Sequence, residues 1–157
     1  MKKILVLSDV HSNRNALTRV ADIMKESDYV IFLGDGISAL SEYFGVLKDK
    51  LYAVDGNCDF SGLGQRQGLL EVEGHKIFFT HGHLYGVKSD LTKLSLKAQE
   101  VGADIVLYGH THIANVEKQG GVYFINPGCF EGRGQEISYC YLMIHNEKVV
   151  PSIVTVY

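Results

Sequence analysis

Three short, unbroken apolar runs, and a fourth opened by an aspartate, set the terms for this chain: Ile4–Leu7, Tyr29–Leu33, Leu51–Val54 and Asp104–Tyr108. Runs of four or five residues without polar alternation are too short for buried helices. They read as β-strands covered on both faces. Between the first two, Asn13–Lys25 carries Leu17, Val20, Ala21 and Met24 at helical spacing, and a short helix is expected over Ser38–Leu47. Strand alternating with helix predicts an α/β fold that starts with parallel strands.

The second half reads differently. Gly68–Glu73 and His75–Thr80 form a predicted hairpin about Glu73-Gly74. Ser89 is expected to cap a helix bearing Leu91, Leu94, Ala98 and Val101, with Gly102 as its stop. Further strands are expected at Ala114–Lys118, Val122–Asn126, Ile137–His145 and Val149–Val156, turning at Gly120-Gly121 and Asn146-Glu147. This half is expected to build a sheet of its own with antiparallel members. Two mixed sheets face to face, with helices outside, fit the pattern best.

A chain of 157 residues is expected to form one domain, 1–157, with a core that needs no disulfide. Its 46% apolar and 21% charged content excludes a disordered chain. Fifteen basic against eighteen acidic residues leave −3, so nucleic acid is not a preferred partner and no basic patch draws it to a membrane. Cys58, Cys129 and Cys140 are odd in number and widely spaced, which points to free thiols in a cytoplasmic setting. The apolar stretch after the two N-terminal lysines is only Ile4–Leu7, shorter than a secretory segment, and no run is long enough to span a membrane.

The chemistry gathers where strands end. Asp9 and His11 follow the first run, Gly34-Asp35 the second, and Gly56-Asn57-Cys58-Asp59 the third. His81-Gly82-His83 follows the hairpin, and Gly109-His110-Thr111-His112 follows the later run. Ligands of open α/β sheets bind outside the carboxyl ends of strands. Residues two apart in extended backbone project to one side, so Asp9 with His11, and His110 with His112, are expected to aim together. Alone, Asp9 could cap a helix and Asp35 could serve a turn. Five such segments in order make a constellation of metal-binding type. His75 and His145 join no cluster and are expected at the solvent surface.

These five segments resemble the motifs of the calcineurin-like metallophosphoesterases, and most of all the small phosphodiesterases of the YfcE type. The resemblance extends to the turn Asn126-Pro127-Gly128. It implies a four-layer α/β/β/α sandwich and two divalent transition-metal ions, with Mn, Fe, Zn, Ni or Co suiting mixed nitrogen and oxygen donors. One ion would be held by Asp9, His11, Asp35 and His112, the other by Asp35, Asn57, His81 and His110. Two such ions bring four positive charges and the two aspartates return two. A bridging hydroxide still leaves a positive surplus suited to a small phosphate ester.

The resemblance also assigns lesser roles. Asn13 would meet a phosphate oxygen, or simply cap the first helix. His83 would contact the substrate or a ligand. Cys58 stands where many relatives carry a leaving-group histidine, which favours the diesterase branch, and Asp59 would orient an imidazole placed there. A protein-interaction scaffold, like the retromer subunit of this fold, is the rival reading, and a homo-oligomer through exposed strand edges is open.

Overall fold

Residues 1–157 are described by a computed structural model. The strands are β1 (Lys2–Leu7), β2 (Tyr29–Phe32), β3 (Leu51–Ala53), β4 (Gln67–Val72), β5 (His75–Thr80), β6 (Ile105–Leu107), β7 (Asn115–Gln119), β8 (Val122–Asn126), β9 (Ile137–His145) and β10 (Lys148–Val156). They form two five-stranded sheets, ordered β10-β9-β1-β2-β3 and β4-β5-β6-β8-β7. Strands β1, β2 and β3 are parallel, as are β5, β6 and β8. Helices α1 (Arg14–Thr18), α2 (Ala21–Glu26), α3 (Ile37–Leu40) and α4 (Phe44–Leu47) lie in the first half, and α5 (Thr92–Val101) in the second.

Strand alternation explains the layering. Ile4 and Val6 of β1 join Ile31, Ile77, Phe79, Ile105 and Leu107 in an apolar cluster between the sheets. Leu5 and Leu7, one residue out of phase, pack with Phe32, Leu17, Met24 and Leu40 beneath the helices of the first half. Phe78, Val106 and Phe124 face the other way, onto Leu94 and Ala98 of α5. Three apolar seams between four layers are the α/β/β/α sandwich. Each buried Leu, Ile or Phe contributes ~1.5–3 kcal/mol through loss of water contact.

Four local expectations need correction. The chain from Ile137 onward does not join the second-half sheet: β9 pairs antiparallel with β1, and β10 extends that first sheet. The helix expected over Asn13–Lys25 breaks at Arg19-Val20, whose N–H groups bond tightly back to Ala16 and Leu17 at 3.1 Å. Leu17, Val20 and Met24 are nevertheless all buried. Ser89 is not the cap of α5; the helix starts at Thr92, whose N–H donates to the Asp90 carboxylate at 3.0 Å. Gly102 does end it, in the left-handed conformation.

The fourth concerns His75, which is only partly exposed. Its Nδ1 lies 2.6 Å from Asp104 Oδ2 and its Nε2 2.6 Å from the Asn146 carbonyl oxygen. His75 thus ties the start of β5 to the turn between β9 and β10, joining the two sheets. His145 is exposed. No helix is long and apolar enough to cross a membrane.

Candidate metal centre

The loops following β1, β2, β3, β5 and β6 meet above the carboxyl ends of these strands, where the sandwich opens. Backbone conformation aims the side chains. Asp9, His11, Asp35, His110 and His112 all have positive φ, between 53° and 71°. These are five of the eight non-glycine residues in that state, each costing on the order of 1–3 kcal/mol. The pairs Asp9/His11 and His110/His112 therefore converge through left-handed turns and not through the extended backbone expected from their spacing. Close approach of the loops adds a second constraint. A Cβ at Gly56 would stand 2.0 Å from Asp35 Oδ1, and one at Gly109 2.0 Å from Ser8 Oγ.

Hydrogen bonds leave one face of each donor free. Asp9 Oδ2 accepts from the Ser8 hydroxyl at 2.5 Å and from the His110 N–H at 3.0 Å, which turns Oδ1 inward. Asp35 Oδ1 accepts from the Cys58 N–H at 2.8 Å, which leaves Oδ2 facing His81 Nε2 at 3.3 Å and His11 Nε2 at 4.0 Å. His81 Nδ1 donates to the Leu33 carbonyl at 2.7 Å, fixing the tautomer with a lone pair on Nε2. That lone pair looks at Asn57 Oδ1 (3.0 Å), His110 Nδ1 (3.2 Å) and Asp35 Oδ2.

Asp35 Oδ2, Asn57 Oδ1 and ring nitrogens of His81 and His110 thus crowd about one point, an arrangement suited to a cation. Beside this set, Asp9 Oδ1 stands 3.1 Å from His112 Nε2 and 4.0 Å from His11 Nε2. Asp9 Oδ1 and His11 Nε2 are both buried without a hydrogen-bond partner. The donor atoms of Asp9, His11 and His112 lie within 4.8 Å of one another, as do those of Asp35, His81 and His110. All seven residues named from the sequence are thus brought together, in two adjoining groups with Asp35 Oδ2 between them. A proton satisfies one such pair; a divalent ion satisfies several. The residues present fit metal ions.

Titration follows the crowding. Burial raises the Asp35 pKa, but the hydrogen bond and charge of His81, the Cys58 N–H and His11 outweigh it and bring it to about 2. Burial lowers that of His81, yet the hydrogen bond to Asp35 and the charge of Asp9 leave it raised. His83 and His110 are lowered by burial and by His81 beside them. The exposed Cys58 is held up by partial burial and by Asp35, so it keeps its thiol proton. Its Sγ lies within 4.8 Å of donor atoms of His11 and Asp35. The His83 ring lies 5.4 Å from the His81 ring, tilted at 56° to it, with a buried and unpartnered Nδ1.

Two lesser assignments change. Asn13 does cap α1, accepting from the Ala16 N–H at 3.2 Å, while its Nδ2 donates to the carbonyls of Glu131 (2.8 Å) and Phe130 (3.3 Å). With both ends of its amide engaged, it is not placed to hold a phosphate oxygen. Asp59 does not reach toward position 58. Its carboxylate gathers the N–H groups of Asp35 (2.7 Å), Gly36 (2.9 Å), Gly56 (2.9 Å) and Ile37 (3.3 Å).

Two roles escaped the sequence reading, that of Asn126, named there only as part of a turn, and that of Glu131. Buried Asn126 donates to the Gly109 carbonyl at 3.2 Å and to Thr111 Oγ1 at 2.9 Å, bracing the His110–His112 turn. Glu131, from the glycine-rich segment after β8, brings Oε2 to 3.8 Å from His11 Nε2. The only signal for it was an acid among the glycines at 128, 132 and 134.

Residues 1–148 match the model of the calcineurin-like phosphoesterase superfamily domain, and the chain belongs to this family. It is 40% identical over 127 residues to the probable metallophosphoesterase YsnB of Bacillus subtilis, covering 80% of this chain and 73% of that one. It is 32% identical over 155 residues to the phosphodiesterase YfcE of Escherichia coli K12, covering 82% and 79%. A crystal structure of a conserved protein described as a predicted phosphoesterase, from Streptococcus pneumoniae TIGR4, superposes with a TM-score of 0.83 at 30% identity, over 98% and 89% of the chains. The fold is shared as well by Vps29 of Entamoeba histolytica, solved with zinc, at a TM-score of 0.77 and 21% identity over 98% of each chain.

Proposed function

We propose that this chain is a cytoplasmic phosphodiesterase that hydrolyses small phosphate diesters with two divalent transition-metal ions, manganese being the first to test. One ion would be held by Asp9, His11, Asp35 and His112, the other by Asp35, Asn57, His81 and His110. The observation that carries this reading is the gathering of Asp35 Oδ2, Asn57 Oδ1 and His110 Nδ1 around His81 Nε2, beside the buried, unpartnered Asp9 Oδ1 and His11 Nε2. Bound there, divalent ions supply Lewis acidity toward phosphoryl oxygens and lower the pKa of water.

The chain's own residues prepare the place. The Leu33 carbonyl holds a proton on His81 Nδ1, so Nε2 is the nitrogen left to face a metal ion. Asp35 offers Oδ2 to both groups of donors. Cys58 and His83, at the edge of the cluster, are the two groups available to meet a departing oxygen, and the thiol is the weaker hydrogen-bond donor. A poor acid suits activated leaving groups.

A metal-binding interaction scaffold is the second reading, favoured by the shared fold with a Vps29 that was itself solved with zinc. Metal binding does not separate the two; turnover does. Purified protein should bind about two Mn²⁺ per chain and hydrolyse bis(p-nitrophenyl) phosphate, and a chelator should abolish the activity. Undiminished activity in a metal-free preparation overturns the enzyme reading, and so does tight metal binding with no diester turned over under any of the five metals.

A further inference from the structure

We propose that Glu131 is a specificity-determining residue that disfavours dianionic phosphomonoesters relative to monoanionic phosphodiesters at the candidate metal centre. The proposal deepens the phosphodiesterase reading and rests on it.

Glu131 is fixed where it stands. The preceding residue, Phe130, is fully buried, and its N–H donates to the Asp9 carbonyl at 3.1 Å. The Glu131 carbonyl is tethered by Asn13 at 2.8 Å. Both bonds tie the segment between β8 and β9 to the loop that carries Asp9 and His11. The carboxylate is mostly buried, its side chain 19% exposed, with Oε2 3.8 Å from His11 Nε2. Its one cationic partner outside the cluster is Arg133, whose Nε is 3.3 Å from Oε1 on a side chain 81% exposed. A solvated arginine screens such a charge poorly, since surface ion pairs are weak.

The charge count then shifts. Two divalent ions would bring four positive charges; Asp9, Asp35 and a hydroxide would return three, and Glu131 returns a fourth from the rim. With the surplus cancelled, a substrate carrying one negative charge, as a phosphodiester does, meets less opposition than one carrying two. A phosphomonoester carries nearly two at neutral pH, and its extra charge meets the carboxylate. Two charges a few ångströms apart at the mouth of a site interact strongly enough to be seen in substrate preference.

The test compares wild type, Glu131→Gln and Glu131→Asp on p-nitrophenyl phosphate and bis(p-nitrophenyl) phosphate. Both substrates expel the same leaving group, so only the charge at phosphorus and the second ester differ. Glu131→Gln should raise the monoester-to-diester ratio of kcat/KM by about tenfold, equivalent to ~1.4 kcal/mol, through a lower monoester KM. Glu131→Asp should stay near the wild-type ratio, and added salt should narrow the difference between wild type and Glu131→Gln. Calorimetry with inorganic phosphate on the manganese-loaded proteins gives a second readout, with tighter binding expected for Glu131→Gln. An unchanged ratio at equal metal content overturns the proposal. Metal lost on Glu131→Gln overturns it too, and makes Glu131 a ligand. If the wild type hydrolyses neither ester, the phosphodiesterase reading fails, and phosphate binding still decides the role of Glu131: equal affinity in all three proteins ends it, tighter binding to Glu131→Gln sustains it.

Discussion

The Asp59 carboxylate accepts the backbone N–H of Asp35 at 2.7 Å, and three further N–H groups share its two oxygens. One side chain thereby locks the loop after β2 onto the loop after β3, fixing the bearing of Asp35 and Asn57 together. Asp59→Ala strands four donors at once. It should weaken Mn²⁺ binding by about 10–100-fold. It should also cost roughly 2–4 kcal/mol in stability, from lost hydrogen bonds to a charged acceptor. Calorimetric titration with Mn²⁺ and urea unfolding of the metal-free protein measure the two effects separately.

Asp35 Oδ2 is the oxygen between the two groups of donors, and Asp35→Asn removes its charge while keeping its shape. Diester hydrolysis should fall by at least about 10²-fold. The exposed His145, changed to Ala, should leave both activity and metal content near wild type. Parallel assays at saturating Mn²⁺ suffice, and equal damage from both substitutions would undo the assignment of Asp35.

His75 titrates away from the candidate metal centre. Burial lowers its pKa, but the hydrogen bond to Asp104 and the contact with the Asn146 carbonyl outweigh burial and leave it raised. Both ring nitrogens face acceptors, so the clasp needs the doubly protonated ring. A raised folded pKa adds stability that is complete below the unfolded value of ~6.5 and is lost as pH climbs through the folded value. The contribution is that of a partly solvated ion pair, ~0.2–1 kcal/mol. Asp104→Asn should reduce this pH dependence to the part owed to the Asn146 carbonyl and Glu147, because the amide oxygen still accepts from the Lys76 N–H while the charge is gone. Thermal unfolding of both proteins across pH 5.5–8.5, a window around that ~6.5 reference, is the measurement.

Position 58 can be tested for access to the leaving group. A positioned general acid contributes ~10²–10⁴-fold. Cys58→His should therefore help an alkyl diester more than a p-nitrophenyl diester. With the Asp59 oxygens already taken by backbone N–H groups, Asp59 does not orient the new imidazole, so the gain should sit at or below the low end of that range. The ratio of the two rates in wild type and mutant is the observable, with metal content matched. A constant ratio would shift attention to His83.

What the sequence disclosed was whatever has a local signature. Ile4–Leu7 and Tyr29–Leu33 read as doubly covered strands because both their faces are covered, and the Glu73-Gly74 turn has φ values of 51° and 82° that suit a two-residue hairpin. The partner of β9 was not legible, because pairing between Ile4 and Leu142 depends on shape complementarity across most of the chain. Neither was the left-handed backbone at Asp9 and His11, which is imposed by the loop's bonds to Gly34 and Asp35. Glu131 lay beyond reach for the same reason: its position is set by Phe130 and by a tether from Asn13, far away in sequence.

The antiparallel seat of β9 beside β1 also orders events during synthesis. Strand β1 leaves the ribosome early, yet one of its edges stays bare until residues 137–145 arrive to cover it. The loop bearing Asp9 and His11 can bond early to Gly34 and Asp35, but its ties to Phe130 and Glu131 wait until those residues have been made. A nascent chain halted just before that point carries all seven donor residues in its covalent sequence but not the whole enclosure that aims them. The enclosure that would receive metal ions is thus complete only after residue 131 has been made.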